Sequence, residues 1–417
     1  MTVVSAARRQ QVKPRIGLGR QAAGRAQAWT AAMYLGLGLT LWGCSSIRVP
    51  ASLGTTPQPQ ETQPSTSLPA PTPTASHAVF TAVGPMGFNH GQSSAVLLDS
   101  GSVLLVGGLV SAEIYDPGSA KFRATGPFSM WVDGATAVEV QGGRILIVGV
   151  GPTGQSSGQQ VTDVSYAAGI YDPSTDRYDA TGPRLFDTNL PAVAPLRNGN
   201  VLFVGGTGQG GGANASAVSH AAELFDPSTG RFTQTGSMHT YREGFTATTL
   251  QDGRVLVAGG DEGDVATPVG SAELYDAVTA KFSPTGSMHA ARAGATSTLL
   301  ESGKVLIVGG KGADGNLASA ELFDPQTGEF TPTGSMATER LGHTATMLKD
   351  GRVLVVGGGG TQAGSLAEIY DPATGVFSPT GQLGANRSGH TATLLKDGRV
   401  LIAGGDDTGV SAEIYWP

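Results

Sequence analysis

Residues 340–381 read RLGHTATMLKDGRVLVVGGGGTQAGSLAEIYDPATGVFSPTG, and nearly the same text recurs along the chain. The stretch predicts four short strands. Residues 343–348, HTATML, alternate and are rich in Thr. The turn signal Asp350-Gly351 leads into a run of β-branched residues that ends at a double glycine. LAEIYDP is short and stops at Pro372, and VFSPTG follows an Asp-Pro-x-Thr-Gly turn. Four short strands punctuated by Gly, Pro and Asp, and repeated, read as one blade of a propeller.

The double glycine counts the blades. It stands at Gly107/Gly108, Gly205/Gly206, Gly259/Gly260, Gly309/Gly310, Gly357/Gly358 and Gly404/Gly405, with a degenerate Gly149-Val150-Gly151 between the first two. From the degenerate copy onward the interval is 47 to 56 residues. An aromatic follows each time: Tyr115, Tyr171, Phe225, Tyr275, Phe323, Tyr370 and Tyr415. Seven residues beyond the first six stands a second one, Phe122, Tyr178, Phe232, Phe282, Phe330 or Phe377. The seventh copy reaches Pro417 without it. Its missing strand is predicted at the other end, where residues 79–86, VFTAVGPM, match residues 281–288, KFSPTGSM. The expectation is seven blades, all-β, closed by an outer strand over residues 78–84 that carries Phe80. A closed ring leaves no unpaired end blade, and a monomer is expected.

This pattern resembles the kelch repeat: a double glycine, an aromatic, then a second aromatic at a fixed distance, usually Trp where this chain has Phe or Tyr. The resemblance covers about 340 residues. It implies a seven-bladed kelch-type propeller with four antiparallel strands per blade. Such propellers mostly bind other molecules, and a minority, the galactose-oxidase-like proteins, are enzymes.

The N-terminal part is different in kind. Before Cys44 there is no acid but six bases, Arg8, Arg9, Lys13, Arg15, Arg20 and Arg25, then an apolar run from Ala28 to Gly43. A basic flank and a short apolar core describe a secretory signal. Leu41-Trp42-Gly43-Cys44-Ser45 resembles the bacterial lipobox, which implies a signal peptide over 1–43 and acylation of Cys44. An uncleaved anchor and an ordinary signal with an incidental Cys are the alternatives. Residues 44–76, rich in Pro, Thr and Ser, are expected to be a semi-extended spacer. The propeller is expected over 77–417. Two acyl chains on Cys44 would hold it stably at a membrane, in the cell envelope or at the cell surface.

Without the six bases of the signal, 20 Lys and Arg stand against 33 Asp and Glu, a mature charge of −13. That argues against nucleic-acid binding, which needs clustered bases. No cofactor is expected. Cys44 is the only cysteine, so an intramolecular disulfide, a Cys-based zinc site and a Cys–Tyr cofactor are excluded.

In an up-and-down blade the Lys-Asp-Gly-Arg and Asp-Pro-x-Thr-Gly turns share one face, and they are short and uniform. The loops after each double glycine and the segments between blades share the other, and those vary. Variable loops on a rigid scaffold are where binding resides. Counting 17 residues back from each double glycine gives Arg242, Arg292, Arg340 and Arg387, and in the first three copies His90, Val132 and Thr188. In peptide-binding kelch domains the arginine of this Arg-x-Gly element meets acidic groups of the ligand. By resemblance, the four arginines and His90 form a candidate anion-binding arc at the channel mouth. The alternative is that each Arg bonds to loop carbonyls of the next blade.

His343 and His390 occupy equivalent positions three residues on, with no third ligand evident, and no metal site is expected. The acids Glu113, Glu223, Glu273, Glu321, Glu368 and Glu413 precede the first aromatic, with Gly169 breaking the series; they read as strand-end partners of backbone or bases. Loop acids Asp261, Glu262, Asp264, Asp406 and Asp407 lack the spaced D-x-D-x-D-G run of a calcium loop. A glycosidase or lyase would need a carboxylate or Tyr/His pair converging on the mouth, and the positions placed there are basic, small or apolar. The reading is a non-catalytic module for a protein, peptide or glycan. The alternative is a galactose-oxidase-like carbohydrate-active enzyme without the copper-radical site.

Overall fold

The computed structural model describes residues 78–417 apart from 90–93, 108–110, 127–132, 153–163, 187, 190, 209–216, 263–266 and 360–363. Cys44, the expected signal and spacer, and His90 lie outside the described residues. Each repeat is a four-stranded antiparallel sheet. Blade 1 consists of Ser94–Leu97, Val103–Gly107, Ser111–Asp116 and Lys121–Ala124; blade 2 of Asp133–Val140, Arg144–Pro152, Val164–Asp172 and Arg177–Ala180. Blade 3 is Ala192–Pro195, Val201–Val204, Ala222–Asp226 and Arg231–Gln234; blade 4 is Thr246–Thr249, Val255–Ala258, Ala272–Asp276 and Lys281–Pro284. Blade 5 is Thr296–Leu299, Val305–Val308, Ala320–Asp324 and Glu329–Pro332; blade 6 is Thr344–Met347, Val353–Val356, Leu366–Asp371 and Val376–Gln382. Blade 7 takes Thr391–Leu394, Val400–Ala403 and Ala412–Trp416 from the end of the chain, and its outer strand, Val79–Ala82, from the other end. This is an all-β, seven-bladed propeller.

The seam is in the expected register. Phe80 lies opposite Tyr415 and Val79 opposite Trp416. The two rings of that first pair are 5.0 Å apart and tilted by 50°. Tyr275–Phe282 (4.8 Å, 48°) and Tyr370–Phe377 (4.8 Å, 46°) show the same geometry within continuous blades, so the second aromatic is a cross-strand partner of the first. Trp416 adds a tie of its own. Its indole N–H donates to the Thr81 hydroxyl at 2.8 Å, and the Arg399 guanidinium lies 4.8 Å over its ring.

The second strand of every blade carries an apolar run because both of its faces are covered by neighbouring sheets. Val305–Val308 and Val353–Val356 are fully buried. The core is therefore a set of layers between blades. Leu256 and Leu274 of blade 4 pack with Val305, Ile307 and Phe323 of blade 5, and Leu401 and Ile414 of blade 7 pack with Val103, Leu105 and Tyr115 of blade 1. Burying each such side chain is worth about 1.5–3 kcal/mol, and the last layer closes the circle.

The inner strands are linked by short hydroxyl side chains around the channel. Thr248 and Ser297 hydroxyls of blades 4 and 5 meet at 2.7 Å, and the Ala137 N–H of blade 2 donates to Ser94 Oγ of blade 1 at 3.0 Å. On the loop-rich face the segments after the double glycines form small hairpins, such as Lys311–Gly312 with Gly315–Asn316.

Candidate functional site

The segment entering each of blades 4 to 7 crosses the loop-rich face and carries the arginine of the repeat. All four side chains, Arg242, Arg292, Arg340 and Arg387, are at most 2% exposed. They do not crowd an open mouth; each is turned into its own blade. Arg340 Nη1 donates to Gly357 O at 2.7 Å and to Leu366 O at 3.0 Å, and Nη2 donates to Glu368 Oε1 at 2.8 Å. Arg242, Arg292 and Arg387 repeat this set on Gly259, Gly309 and Gly404 and on Glu273, Glu321 and Glu413.

The main chain of the same arginine binds the preceding blade. Gly310 N–H donates to Arg340 O at 2.9 Å, and Arg340 N–H to Leu317 O at 3.1 Å. Each arginine thus spans two blades, with its backbone in one and its guanidinium in the next. To touch a ligand, a guanidinium would first have to give up these carbonyls and its buried carboxylate.

The glutamates complete the net. Glu273 accepts the N–H groups of His239 at 2.8 Å and Thr240 at 3.1 Å, besides the His239 ring. Burial pushes its carboxyl pKa up, but those hydrogen bonds and the Arg242 charge outweigh burial and hold it below the usual range. Glu321 is lowered in the same way by Ala290, His289 and Arg292.

The first three copies lack the arginine, and the described residues of blades 3 and 2 show two different substitutes for the usual pair. Blade 3 has Thr188 at the arginine position, yet its Glu223 is still paired. Arg184, from the position held by Met in blades 1, 4, 5 and 6, reaches Glu223 Oε1 through Nε at 2.7 Å and Thr188 Oγ1 through Nη2 at 2.9 Å. Counting 17 residues back could not find it; an arginine in a Met slot beside a missing arginine was the available signal. Blade 2 has Gly169 in place of the glutamate. A Cβ there would lie 1.9 Å from the Tyr178 ring, so tyrosine fills the space of the lost carboxylate.

His343 and His390 are buried, and each bonds through Nε2 at 2.9 Å to a threonine of the preceding blade, Thr296 and Thr344. Burial, with the charges of Arg340 and Arg387 nearby, takes both imidazoles down to about 3, so they are neutral at physiological pH. They sit over the double glycines: a Cβ on Gly309 would be 2.7 Å from His343 Cε1, and one on Gly357 2.8 Å from His390 Cε1. Phe245 covers Gly205 in the same manner.

The mouth also holds a carboxylate pair that the sequence pattern did not reveal. Glu243, beside Arg242, exchanges two backbone hydrogen bonds with Asp261, beside Gly260, at 3.1 and 2.8 Å. Directly opposed residues of such a bridge present their side chains to the same side. Burial and the Asp261 charge push the Glu243 carboxyl up; burial pushes Asp261 up, and the charge of Lys311 in blade 5 works against it. Asp261 Oδ1 is buried without a hydrogen-bond partner. The expectation of a mouth that is only basic, small or apolar is corrected here, because the pair arises from a bridge outside the regular strands.

The loop acids are not gathered. Asp261 and Glu262 belong to blade 4, whereas Asp406 and Asp407 belong to blade 7, where Asp406 lies 3.6 Å from Arg387. Among the described residues no group of three His, Cys, Asp or Glu is arranged to hold a metal ion. Asp264 lies outside the described residues.

No protein-family model and no curated protein matches the sequence. Among solved structures, the chain is similar to a fungal alcohol oxidase described as having catalytic diversity among the AA5 family, in complex with copper. The two share 17% identity at a TM-score of 0.61, over 81% of this chain and 76% of that one. At that identity the likeness is one of fold: this chain is a seven-bladed β-propeller of the architecture seen in that enzyme.

Proposed function

We propose that the chain is a kelch-type binding module, exported and held at a membrane through an acylated Cys44, which captures a protein, peptide or glycan on its loop-rich face. The observation that carries this reading is the arginine–glutamate net. It fixes the base of the loops in blades 3 to 7 and leaves the loops themselves free to differ, as a rigid scaffold for recognition requires. In this reading Arg242, Arg292, Arg340 and Arg387 hold the mouth in shape, and the ligand meets the residues beside them, including His90. Cys44 stands directly after an export-like segment, which supports acylation rather than catalysis.

The second reading is a carbohydrate-active enzyme, suggested by the fold shared with the AA5 oxidase. A copper-radical centre of the galactose-oxidase kind needs a Tyr joined to a Cys, and residues 77–417 contain no Cys. Nε2 of both His343 and His390 is bonded to threonine, and no third donor is grouped with them among the described residues, so the donors described do not fit such a centre. The test is a glycan and peptide array probed with the protein, alongside an oxidase assay with added copper. Capture without turnover supports the module, and oxidation of a sugar alcohol would replace it with the enzyme. Cys44→Ser is expected to move the protein out of the membrane fraction.

A further inference from the structure

We infer that the loop-rich face takes a cationic ligand, and that a basic peptide segment with interspersed apolar residues fits it best. This rests on the binding-module reading above and names the chemistry of its ligand.

The charge of the molecule is segregated. On the short-turn face acids and bases neutralise one another, as in Asp252–Arg254, Asp350–Arg352 and Asp397–Arg399, each 2.6 Å apart. On the loop-rich face the arginines are buried against glutamates, Arg184 on Glu223 and Arg340 on Glu368 among them. Among the described residues, that leaves Lys311 as the one base outside the net on the face. Against it stand Glu243, Asp261, Glu262, Asp314, Glu339 and Asp407. The excess negative charge therefore lies on the face whose loops vary. A surface potential of one sign steers ligands of the other.

Two further features point to what is recognised. Glu243 and Asp261 face each other across a backbone bridge, an arrangement that is unfavourable for like charges. Asp261 Oδ1 is buried with no donor, so an ammonium or guanidinium would relieve the repulsion and satisfy the oxygen at once. Phe88, Leu185 and Tyr241 are 41%, 50% and 47% exposed on segments between blades that cross this same face. Tyr241, two residues before Glu243, offers an apolar and cation–π contact next to the acid pair.

The test is fluorescence anisotropy of a labelled Arg/Leu dodecapeptide and its Glu-for-Arg counterpart with the full-length protein, at about 0.05 and 0.5 M salt. The Arg/Leu peptide should bind, and bind more weakly at high salt. Glu243→Gln with Asp261→Asn should weaken it about tenfold or more. Glu139→Gln with Glu301→Gln, at the short-turn end, removes the same charge and should change nothing. Preference for the Glu peptide, no binding of either peptide, or equal loss from both double variants would overturn the inference. Capture of a neutral glycan on this face would overturn the charge class alone and leave the module standing, whereas turnover of a sugar would overturn the module itself.

Discussion

The Arg340 guanidinium and the Glu368 carboxylate meet at 2.8 Å inside blade 6, with the arginine side chain wholly buried. Removing one partner of such a pair strands the other charge in a dry environment. Arg340→Ala should cost about 3–5 kcal/mol, read as a fall in the urea midpoint. A variant that keeps its midpoint would show that the guanidinium is dispensable to the ring and free for another task.

Arg184 gives a sharper test of the same net. Arg184→Met, which restores the residue usual at that position, should destabilise by about 3 kcal/mol because Glu223 loses its cation. Adding Thr188→Arg should recover most of the loss by rebuilding the pair in its usual place. Failure of the second change to rescue the first, by thermal melting, would mean that blade 3 cannot accept the standard arrangement.

The seam should be sensitive to its aromatic pair. Phe80→Ala removes one ring from the contact with Tyr415 and should cost about 2 kcal/mol. Amide exchange at Glu413 and Ile414 should accelerate ahead of exchange in blades 3 to 5. Uniform acceleration around the ring would speak against a local seam.

His343 and His390 predict acid lability. Their folded pKa is about 3, well below the ordinary value of about 6.5. The unfolded chain therefore binds protons that the folded one refuses. The stability they allow is fully present above about pH 6.5 and is lost as pH falls towards 3, by up to about 1.4 kcal/mol per pH unit for each ring. Blade 4 already carries a phenylalanine, Phe245, at the equivalent position. His343→Phe with His390→Phe should therefore be accepted and should flatten the melting temperature between pH 7 and 5. An unchanged slope would assign the lability to other groups.

Blade count, strand order and seam were legible in the sequence because a repeat states the same pattern many times. Phe80 needed only a match to Phe282. The site was legible in residue type and place, but not in orientation. Arg340 is the same letter whether it greets a ligand or bonds to Gly357 O, and burial is what separates the two. Arg184 escaped because it reaches the common carboxylate from a different backbone position. The Glu243–Asp261 pair escaped because its bridge joins a segment between blades to the start of a loop, where no periodic pattern marks the contact.

The pairing of Phe80 with Tyr415 joins residues 335 apart. Val79–Ala82 must wait for Ala412–Trp416, and all six other blades lie between the two in the chain. Closing so long a loop is costly in entropy, and folds dominated by distant partners fold slowly. Closing blade 7 is accordingly expected to be a late step in forming the ring, and its completion commits every other sector to the circle.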